Sequence, residues 1–261
     1  MIKLFRNIRK KLLEQGKLTN YLKYAIGEIF LVVIGILIAL QINNWNQSQA
    51  ERKVEKEYIT SLLEDIATDT INIQLAIKNN EIRIQYLDSL ATMCFNYSSE
   101  GMNDPKLYEL YKISLRHPDF VTPTERTLAQ LKNAGGMRLL KNNNSVNVII
   151  DYEDYIKKLI NQQVWYESML SSLLEAGIPN FNYKFFPKTT EGYNQPFFKT
   201  AKIISEDRQA IIELGNRADT FSNVTRGYLI LLQQGKQKAI NVMQVLEENY
   251  SINNRQINEQ P

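Results

Sequence analysis

The stretch Tyr24-Ala-Ile-Gly-Glu-Ile-Phe-Leu-Val-Val-Ile-Gly-Ile-Leu-Ile-Ala-Leu-Gln-Ile42 decides how this chain folds. Its segment Phe30 to Leu40 contains no polar side chain. A helix needs roughly 20 mainly apolar residues to cross the hydrocarbon core of a bilayer. Trp45 follows the stretch and Tyr21 precedes it, as interfacial aromatic residues do. The sequence therefore predicts a transmembrane helix, with its interfacial flank, over residues 24–45.

Two other interpretations of this stretch compete with an uncleaved signal anchor. A buried core helix seldom has eleven consecutive apolar residues without a wet face. A cleaved signal peptide usually ends in a small-x-small pattern, whereas Gln41-Ile-Asn-Asn-Trp-Asn-Gln47 lacks one. We expect the uncleaved anchor.

The charges around the stretch indicate its orientation. Residues 1–23 carry a net charge of +6, and the rest of the chain carries −3. Because the Lys/Arg-rich flank stays in the cytoplasm, the N-terminus is predicted to be cytoplasmic. In a bacterium, this places the anchor in the inner membrane and residues 46–261 in the periplasm. The basic residues do not continue beyond the first 23, so we expect no nucleic-acid partner.

The cytoplasmic segment 1–23 has a helical pattern of its own. Ile2, Phe5, Ile8 and Leu12 recur at helical spacing between basic residues. This pattern favours a cationic amphipathic helix lying on the lipid surface, although a solvated tail that only sets topology is the alternative. The lipid bilayer is thus the first expected partner.

Three residues of the anchor are candidates for contacts within the membrane. Glu28 is a carboxylate near the cytoplasmic edge, where it can pair with Lys23, remain neutral or reach the interface. Gly35 and Ala39 form a small-xxx-small pair, which permits close approach of a second helix. Such pairs also occur by chance, so dimerisation through them is a hypothesis.

The stretch Lys17-Leu-Thr-Asn-Tyr-Leu-Lys-Tyr-Ala-Ile-Gly-Glu-Ile-Phe-Leu-Val-Val-Ile-Gly-Ile-Leu-Ile-Ala-Leu-Gln-Ile-Asn-Asn-Trp-Asn46 resembles the N-terminal signature of a family of single-pass membrane proteins. The family occurs mainly in Bacteroidetes-type bacteria and is defined by a domain of unknown function. A weaker similarity covers Thr122 to Tyr152, around Gly135 and Gly136. The resemblance implies a membrane anchor and a bacterial origin, and it implies no activity, cofactor or catalytic residue.

Residues 48–93 contain neither Gly nor Pro, and their apolar residues are spaced alternately by three and four. This near-heptad stripe predicts one long amphipathic helix, of coiled-coil character, that continues from the anchor. Asn80 lies in the stripe, where it either sets register or marks a solvent-facing bend. The stripe consists of Ile59, Leu62, Ile66, Ile73, Ile77, Ile84, Leu87 and Ala91, with Thr70 and Asn80 completing the spacing.

Turn and capping signals divide the remainder into further helices. Residues 105–114 are predicted to form a short helix, and Thr122-Pro-Thr-Glu125 to cap another that ends at Asn133 before two glycines. Long helices are expected at 145–176 and 205–250, the latter with possible breaks at Gly215 or Gly227. The predicted fold is all-α, one transmembrane helix followed by an elongated antiparallel bundle. The second long helix should bury Ile149, Tyr152, Ile156, Leu159, Ile160 and Trp165.

The chain offers few groups for catalysis or metal binding. His117, the one histidine, lies in an Arg-His-Pro-Asp turn and is interpreted as polar surface. Cys94, the one cysteine, is expected to be buried. The acidic pair Asp151 and Asp154 is expected on a solvated charged face. We therefore predict no enzyme, metal or cofactor.

The leading functional hypothesis is a membrane-anchored helical interaction module that binds a protein partner or self-associates outside the inner membrane. The alternative is a periplasmic ligand-binding sensor subunit that acts through a partner, using the aromatic segment 178–199. Aromatic residues such as those of this segment more often pack in a protein core than line a ligand pocket. An enzyme with an unfamiliar site is the third hypothesis.

The predicted orientation can be tested with a reporter that is active only in the periplasm, fused after Pro261. We expect activity, because the basic residues before the anchor should hold the N-terminus in the cytoplasm. Moving the basic residues of 1–23 to a position just after Trp45 should reduce that activity. A reporter that is active in the cytoplasm when fused to the unaltered chain would overturn the orientation.

Overall fold

A computed structural model describes residues 18–98, 104–116, 120–133, 135–181, 203–204 and 207–252. Helices account for 88% of these residues, and they include no β-strand. An isolated antiparallel bridge joins Phe181 to Ile203. The prediction of an all-α chain is confirmed. The five α-helices of the described part are α1 (Leu18–Phe95), α2 (Asp104–Ser114), α3 (Arg126–Asn133), α4 (Asn143–Gly177) and α5 (Arg208–Tyr250), and a 3-10 helix spans Gly136–Leu139.

The chain divides into two compact units, Met1–Glu57 and Tyr58–Pro261. In the first unit, α1 is long and apolar enough to cross a membrane, or to act as a signal anchor, by its length and composition. None of this apolar window is buried against other parts of the chain. That exposure argues against the interpretation as a buried core helix. The predicted surface helix before Leu18 lies outside the described residues.

The second unit has a core built from the apolar faces of α1, α4 and α5, with α2 and α3 contributing to it. The stripe predicted on α1 forms part of this core: Ile59, Ile66 and Leu87 are almost completely buried. Asn80 is buried as well, rather than facing solvent at a bend. Amphipathic periodicity therefore identified the buried face of α1 correctly.

On α4 the predicted core face needs one correction. Trp165 was expected to be buried, but its side chain is 64% exposed, and Tyr166 is buried instead. Tyr166 follows the buried Leu159 by seven residues, which is close to two turns of 3.6 residues. Trp165 precedes Tyr166 by one residue, so its side chain points away from the buried face of the helix. Its position around the helix, and not the size of its apolar ring, therefore decides its exposure.

The long helices begin and end where local chemistry satisfies their terminal backbone groups. The Asn142 side chain accepts a hydrogen bond from the Ser145 N–H, as expected for the start of α4. Asp207 caps α5 by accepting from the Gln209 N–H. After α3, Gly135 adopts a φ of 66°, a left-handed conformation that suits glycine at a helix end.

No break occurs in α5 at Gly215 or Gly227, since the helix is continuous from Arg208 to Tyr250. At Gly215 a Cβ atom would lie 2.8 Å from the Cβ of Cys94, so this glycine permits close approach of α5 to α1. At Gly227 a Cβ would meet no atom within 4 Å. Packing explains the first glycine, and nothing in the structure explains the second.

Gly177 serves a similar purpose at the end of α4. A Cβ at this position would overlap the ring of Tyr111 on α2. That ring stacks on Phe181 with centroids 4.8 Å apart, and its hydroxyl donates a hydrogen bond to the Leu174 carbonyl. The absence of a side chain at Gly177 therefore seats α2 against α4.

We predict opposite effects of alanine at two glycines. Gly177→Ala should lower the free energy of unfolding by about 1–3 kcal/mol, because the methyl group overlaps a buried ring. Gly227→Ala, the matched control in open space, should raise it by about 0.5–1 kcal/mol through helix propensity. Thermal unfolding of the full-length chain in detergent, followed by circular dichroism, measures both. Equal stability of the two variants would refute the described packing of Tyr111.

Candidate functional site

The three candidate membrane-helix contacts lie in the first unit, on α1. Gly35 and Ala39 are exposed, and a Cβ at Gly35 would meet no atom within 4 Å. Glu28 is half-buried and precedes Gly35 by seven residues, which places these three residues on one face of the helix. Their proposed contacts with a second membrane helix remain a prediction.

Other residues singled out from the sequence do not assemble a catalytic site. Asp151 and Asp154 are exposed on α4, and Asp154 pairs with Lys157, which confirms the solvated charged face. Cys94 is buried, and burial raises the pKa of its thiol to about 12, so the thiol stays protonated. His117 and most of the aromatic segment 178–199 lie outside the described residues. Among the residues the structure does describe, no group of acids, His or Cys is arranged to hold a metal ion.

A cavity of about 270 Å³ lies in the second unit beside α3, bordered by α1 and α4. It is slightly smaller than the usual range of small-molecule sites, roughly 300–1,000 Å³. Its walls combine an apolar strip with charged groups of both signs. The lining residues are Asp69, Pro123, Thr124, Glu125, Leu128, Ala129, Lys132, Asn133, Tyr152, Glu153, Ile156 and Lys157.

One face of α3, together with Glu125 just before the helix, forms one wall of this cavity. Glu125, Leu128, Ala129 and Lys132 follow one another at spacings of three, one and three residues, so they share a helix face. This wall therefore runs from an acidic group, over two apolar side chains, to a basic group. Glu125 and Lys132 are seven residues apart, about 10 Å at 1.5 Å per residue.

Two buried carboxylates of α1 hold the start of α3 in place. Asp65 accepts a hydrogen bond from the Thr127 N–H at 3.0 Å, and Asp69 accepts one from the Thr124 N–H at 2.8 Å. These backbone groups are among those that a helix start leaves without partners. The predicted capping box at Thr122–Glu125 is thus wrong in its detail, because α3 begins at Arg126 and carboxylates distant in sequence cap it.

Asp69 also forms the acidic floor of the cavity, together with Tyr152. The Tyr152 hydroxyl donates to Asp69 Oδ2 at 2.9 Å. Burial raises the pKa of Asp69 above its ordinary value, although the hydrogen bonds from Thr124 and Tyr152 oppose the rise. Burial, followed by the charge of Asp69, also raises the pKa of the Tyr152 hydroxyl, so that hydroxyl remains a donor at neutral pH.

At the opposite end, Glu153 lies between two lysines. Lys132 from α3 contacts both carboxylate oxygens of Glu153, and Lys157 lies 2.9 Å from Oε1. Burial alone would raise the pKa of Glu153, but the hydrogen bonds from both lysines outweigh it and lower the pKa. Among the residues that line this end of the cavity, two ammonium groups share one carboxylate, so the lining carries a net charge of +1 here; Asp154, on the surface outside the lining, is a further partner of Lys157.

A second polar cluster, centred on Tyr166, is enclosed in the core and does not border the cavity. The Tyr166 hydroxyl donates to Asn80 Oδ1 at 2.6 Å and accepts from the Thr225 hydroxyl at 3.2 Å. Asn80 Nδ2 in turn donates to the Ala76 carbonyl. Because hydrogen bonds satisfy these buried groups, the cluster fixes the pairing of α1, α4 and α5 and offers nothing to a ligand.

Sequence reasoning missed the roles of Asp65 and Asp69, although a signal was present. Each lies three residues after a buried apolar residue of the α1 stripe, Leu62 and Ile66 respectively. A carboxylate on the buried side of a helix must find donors, which predicts a tertiary cap or a polar site. Their partners at Thr124 and Thr127 are over 50 residues away in sequence, and no pattern in the sequence reveals that pairing.

Comparisons of the chain with models of known protein families, with curated proteins and with solved structures found no match. The resemblance of residues 17–46 to a membrane-protein family accordingly remains a prediction from the sequence.

We predict that Asp65→Ala lowers the free energy of unfolding by about 1–2 kcal/mol, since the buried Thr127 N–H loses its acceptor. Glu64→Ala is the matched control, because the Glu64 side chain is exposed and should matter by less than about 0.5 kcal/mol. Arg126→Ala tests the ion pair to Asp65 separately from the cap. The Arg126 side chain is 70% exposed and Asp65 keeps its bond from the Thr127 N–H, so this loss should cost only about 0–1 kcal/mol. Thermal unfolding in detergent provides the measurement. A loss in Arg126→Ala as large as that in Asp65→Ala would contradict the capping role.

Proposed function

We propose that this chain is a membrane-anchored helical interaction module whose second unit associates with protein outside the bacterial inner membrane. In this proposal α1 spans the bilayer within residues 24–45, the N-terminus is cytoplasmic and residues 46–261 are periplasmic. The exposed apolar segment of α1 supports the anchor, because a helix that is apolar on every side and is not buried in protein suits a lipid environment. The basic residues of 1–23 support the orientation.

We further propose that the long helices of the second unit form an antiparallel bundle in which α5 runs opposite to both α1 and α4. Three hydrogen bonds between α4 and α5 support this arrangement: Ser145 pairs with Asn249, Tyr155 with Gln234, and Ser172 with Arg217. Partner numbers on α5 fall as numbers on α4 rise. The pairing of Asp69 with Tyr152 and of Asn80 with Tyr166 supports a parallel course of α1 and α4.

The observation that carries the association is an apolar row on the outer face of α1. The side chains of Ile71, Leu75 and Ile82 are 70%, 56% and 38% exposed. Their spacing of four and seven residues places them on one face of the helix, opposite buried residues such as Ile73 and Ile77. We name Ile71, Leu75 and Ile82 the outer row.

We propose a second copy of this chain as the occupant of the outer row. Copies anchored in one membrane share an orientation, and a two-fold pair brings identical rows together. Lys78 is exposed on the same face, and a lysine in such a row selects the pairing at a cost in stability. Three side chains also provide far less than the roughly 800 Å² per partner of a stable interface, so the pair depends on anchoring in the membrane. The small-residue pair Gly35 and Ala39 provides a second contact in this proposal.

A second candidate function, a periplasmic ligand-binding sensor subunit acting through a partner, is favoured by the cavity beside α3. The cavity presents converging polar groups next to an apolar wall, as small-molecule sites do. In this candidate function a partner protein passes the signal on. We do not propose an enzyme.

Chemical cross-linking in native membranes tests the association. Leu75→Glu should reduce a cross-linked dimer several-fold, because it places like charges in the apolar row. Ile230→Glu is the matched control, an exposed apolar residue on α5 that does not belong to the outer row, and it should leave the dimer unchanged. Gly35→Leu and Ala39→Leu test the membrane contact in the same assay.

A dimer that persists undiminished in Leu75→Glu would remove the outer row from the proposal. A cross-linked dimer that persists in Gly35→Leu and Ala39→Leu would remove the small-residue pair from the proposal. A stoichiometric partner of another sequence recovered with the intact protein, without dimer, would replace the second copy as the occupant.

A further inference from the structure

The cavity beside α3 is dipolar, and that property narrows what it can hold. Asp69 and Glu125 line it at the N-terminal end of α3. Lys132 and Lys157 line it toward the C-terminal end on either side of Glu153, which leaves one net positive charge there. Leu128, an apolar side chain of α3, lies between the two ends, across from Ile156 of α4. A ligand that matches both ends must itself carry charges of both signs, separated by an apolar segment.

The basic end retains unused donor capacity. An ammonium group has three N–H donors. Lys132 directs its donors to Glu153, and Lys157 to Glu153 and Asp154. Each ammonium group therefore keeps at least one donor for a second anion. A carboxylate placed between the two lysines would receive charge-assisted hydrogen bonds from both, while Glu153 keeps its own contacts.

The acidic end retains acceptor capacity in a complementary way. Each carboxylate oxygen accepts up to two hydrogen bonds. Glu125 is exposed at the rim, and Asp69 forms the floor with one oxygen facing Thr124 and the other facing Tyr152. A cationic amine at this end would be attracted by both carboxylates.

The distance between the ends sets the ligand's length. The backbones of Glu125 and Lys132 are about 10 Å apart along α3. Their long side chains can bring the two charged groups closer together than that. An ω-amino acid with five methylene groups spans roughly 7 Å when extended, on carbon–carbon bonds of about 1.5 Å. A cavity of about 270 Å³ accommodates a molecule of this size and not a folded partner.

We propose that the cavity beside α3 binds a small zwitterion of the ω-amino acid class, with its ammonium group at Glu125 and Asp69 and its carboxylate between Lys132 and Lys157. The methylene chain lies on Leu128, Ala129 and Ile156. This inference deepens the sensor function proposed above, and it is independent of self-association through the outer row.

The experiment uses the full-length chain in lipid nanodiscs and three matched probes: 6-aminohexanoate, hexanoate and 6-aminohexanamide. Ligand-observed saturation-transfer NMR gives each dissociation constant, and empty nanodiscs correct for binding to lipid. We expect roughly millimolar binding of 6-aminohexanoate, as its small size dictates. Hexanoate and 6-aminohexanamide each lack one charge, and each should bind at least about fivefold more weakly.

Three variants assign the two ends and the place of binding. Lys157→Gln should weaken 6-aminohexanoate to the level of the amide without changing the amide's own affinity. Glu125→Gln should weaken it to the level of hexanoate without changing hexanoate. Lys158→Gln is the control, an exposed lysine on α4 that does not line the cavity, and it should bind as the unaltered chain does. Ala129→Phe should fill the cavity and abolish binding.

The proposal is overturned if 6-aminohexanoate shows no saturable binding beyond empty nanodiscs, or if the three probes bind equally. It is also overturned if Ala129→Phe binds like the unaltered chain. Glu125 and Lys157 are exposed, so their variants should fold, and circular dichroism verifies this. If one of these variants misfolds, the comparison of the three probes on the unaltered chain still tests whether both charges of the ligand contribute to binding. Cross-linking through the outer row is measured separately, so its failure does not affect this result.

Discussion

The second unit depends on two carboxylates that α1 carries on its buried side. Asp65 and Asp69 are four residues apart, one helical turn, and their oxygens accept the backbone N–H groups of Thr127 and Thr124. An ionised carboxylate is costly to bury without donors, and the start of a helix offers donors that lack partners. The carboxylates of α1 therefore gain donors, and the backbone N–H groups at the start of α3 gain acceptors. Because α3 is only eight residues long, it draws little stability from its own hydrogen bonds, and this cap fixes its position beside α4. The cavity exists because α3 is held there.

The sequence predicts those parts of the fold that depend on local patterns, and the structure confirms them. Periodicity identified the α1 core face, and turn signals identified the glycine end of α3. Prediction failed where a distant contact decides the outcome. Gly215 suggests a helix break in the sequence, yet it lies within the continuous α5, where its lack of a side chain makes room for Cys94 of α1. Likewise, the cavity needs Asp69, Lys132 and Lys157 to converge from three helices, and spacing within one helix contains no information about that convergence.

Two kinds of exposed apolar surface occur on α1, and their patterns differ in a physically meaningful way. Within 26–42 apolar residues are exposed around the whole helix, which suits a solvent that is apolar on every side. In the second unit, the exposed large apolar side chains of α1 are those of the outer row and of Phe95 at the helix end, while the face opposite the outer row is buried in the core. A helix in water is stabilised when another protein surface covers its one apolar row. Lipid would not stabilise it, because polar and charged side chains border that row. The two patterns thus support two different partners, a bilayer and a protein.

The outer row and the cavity use different faces of α1, and Asp69, which lines the cavity, lies within two turns of Ile71 and Leu75. A ligand changes self-association only if it binds the single chain and the paired chain with different affinity, and linkage then requires that pairing change ligand affinity by the same factor. The helix between the two faces is continuous and hydrogen-bonded, so a shift of α3 is not transmitted by bending α1. Coupling would instead need α1 to rotate within its core, against the buried hydrogen bond between Asn80 and Tyr166. That buried contact opposes rotation, so ligand binding and self-association should be energetically independent in this fold.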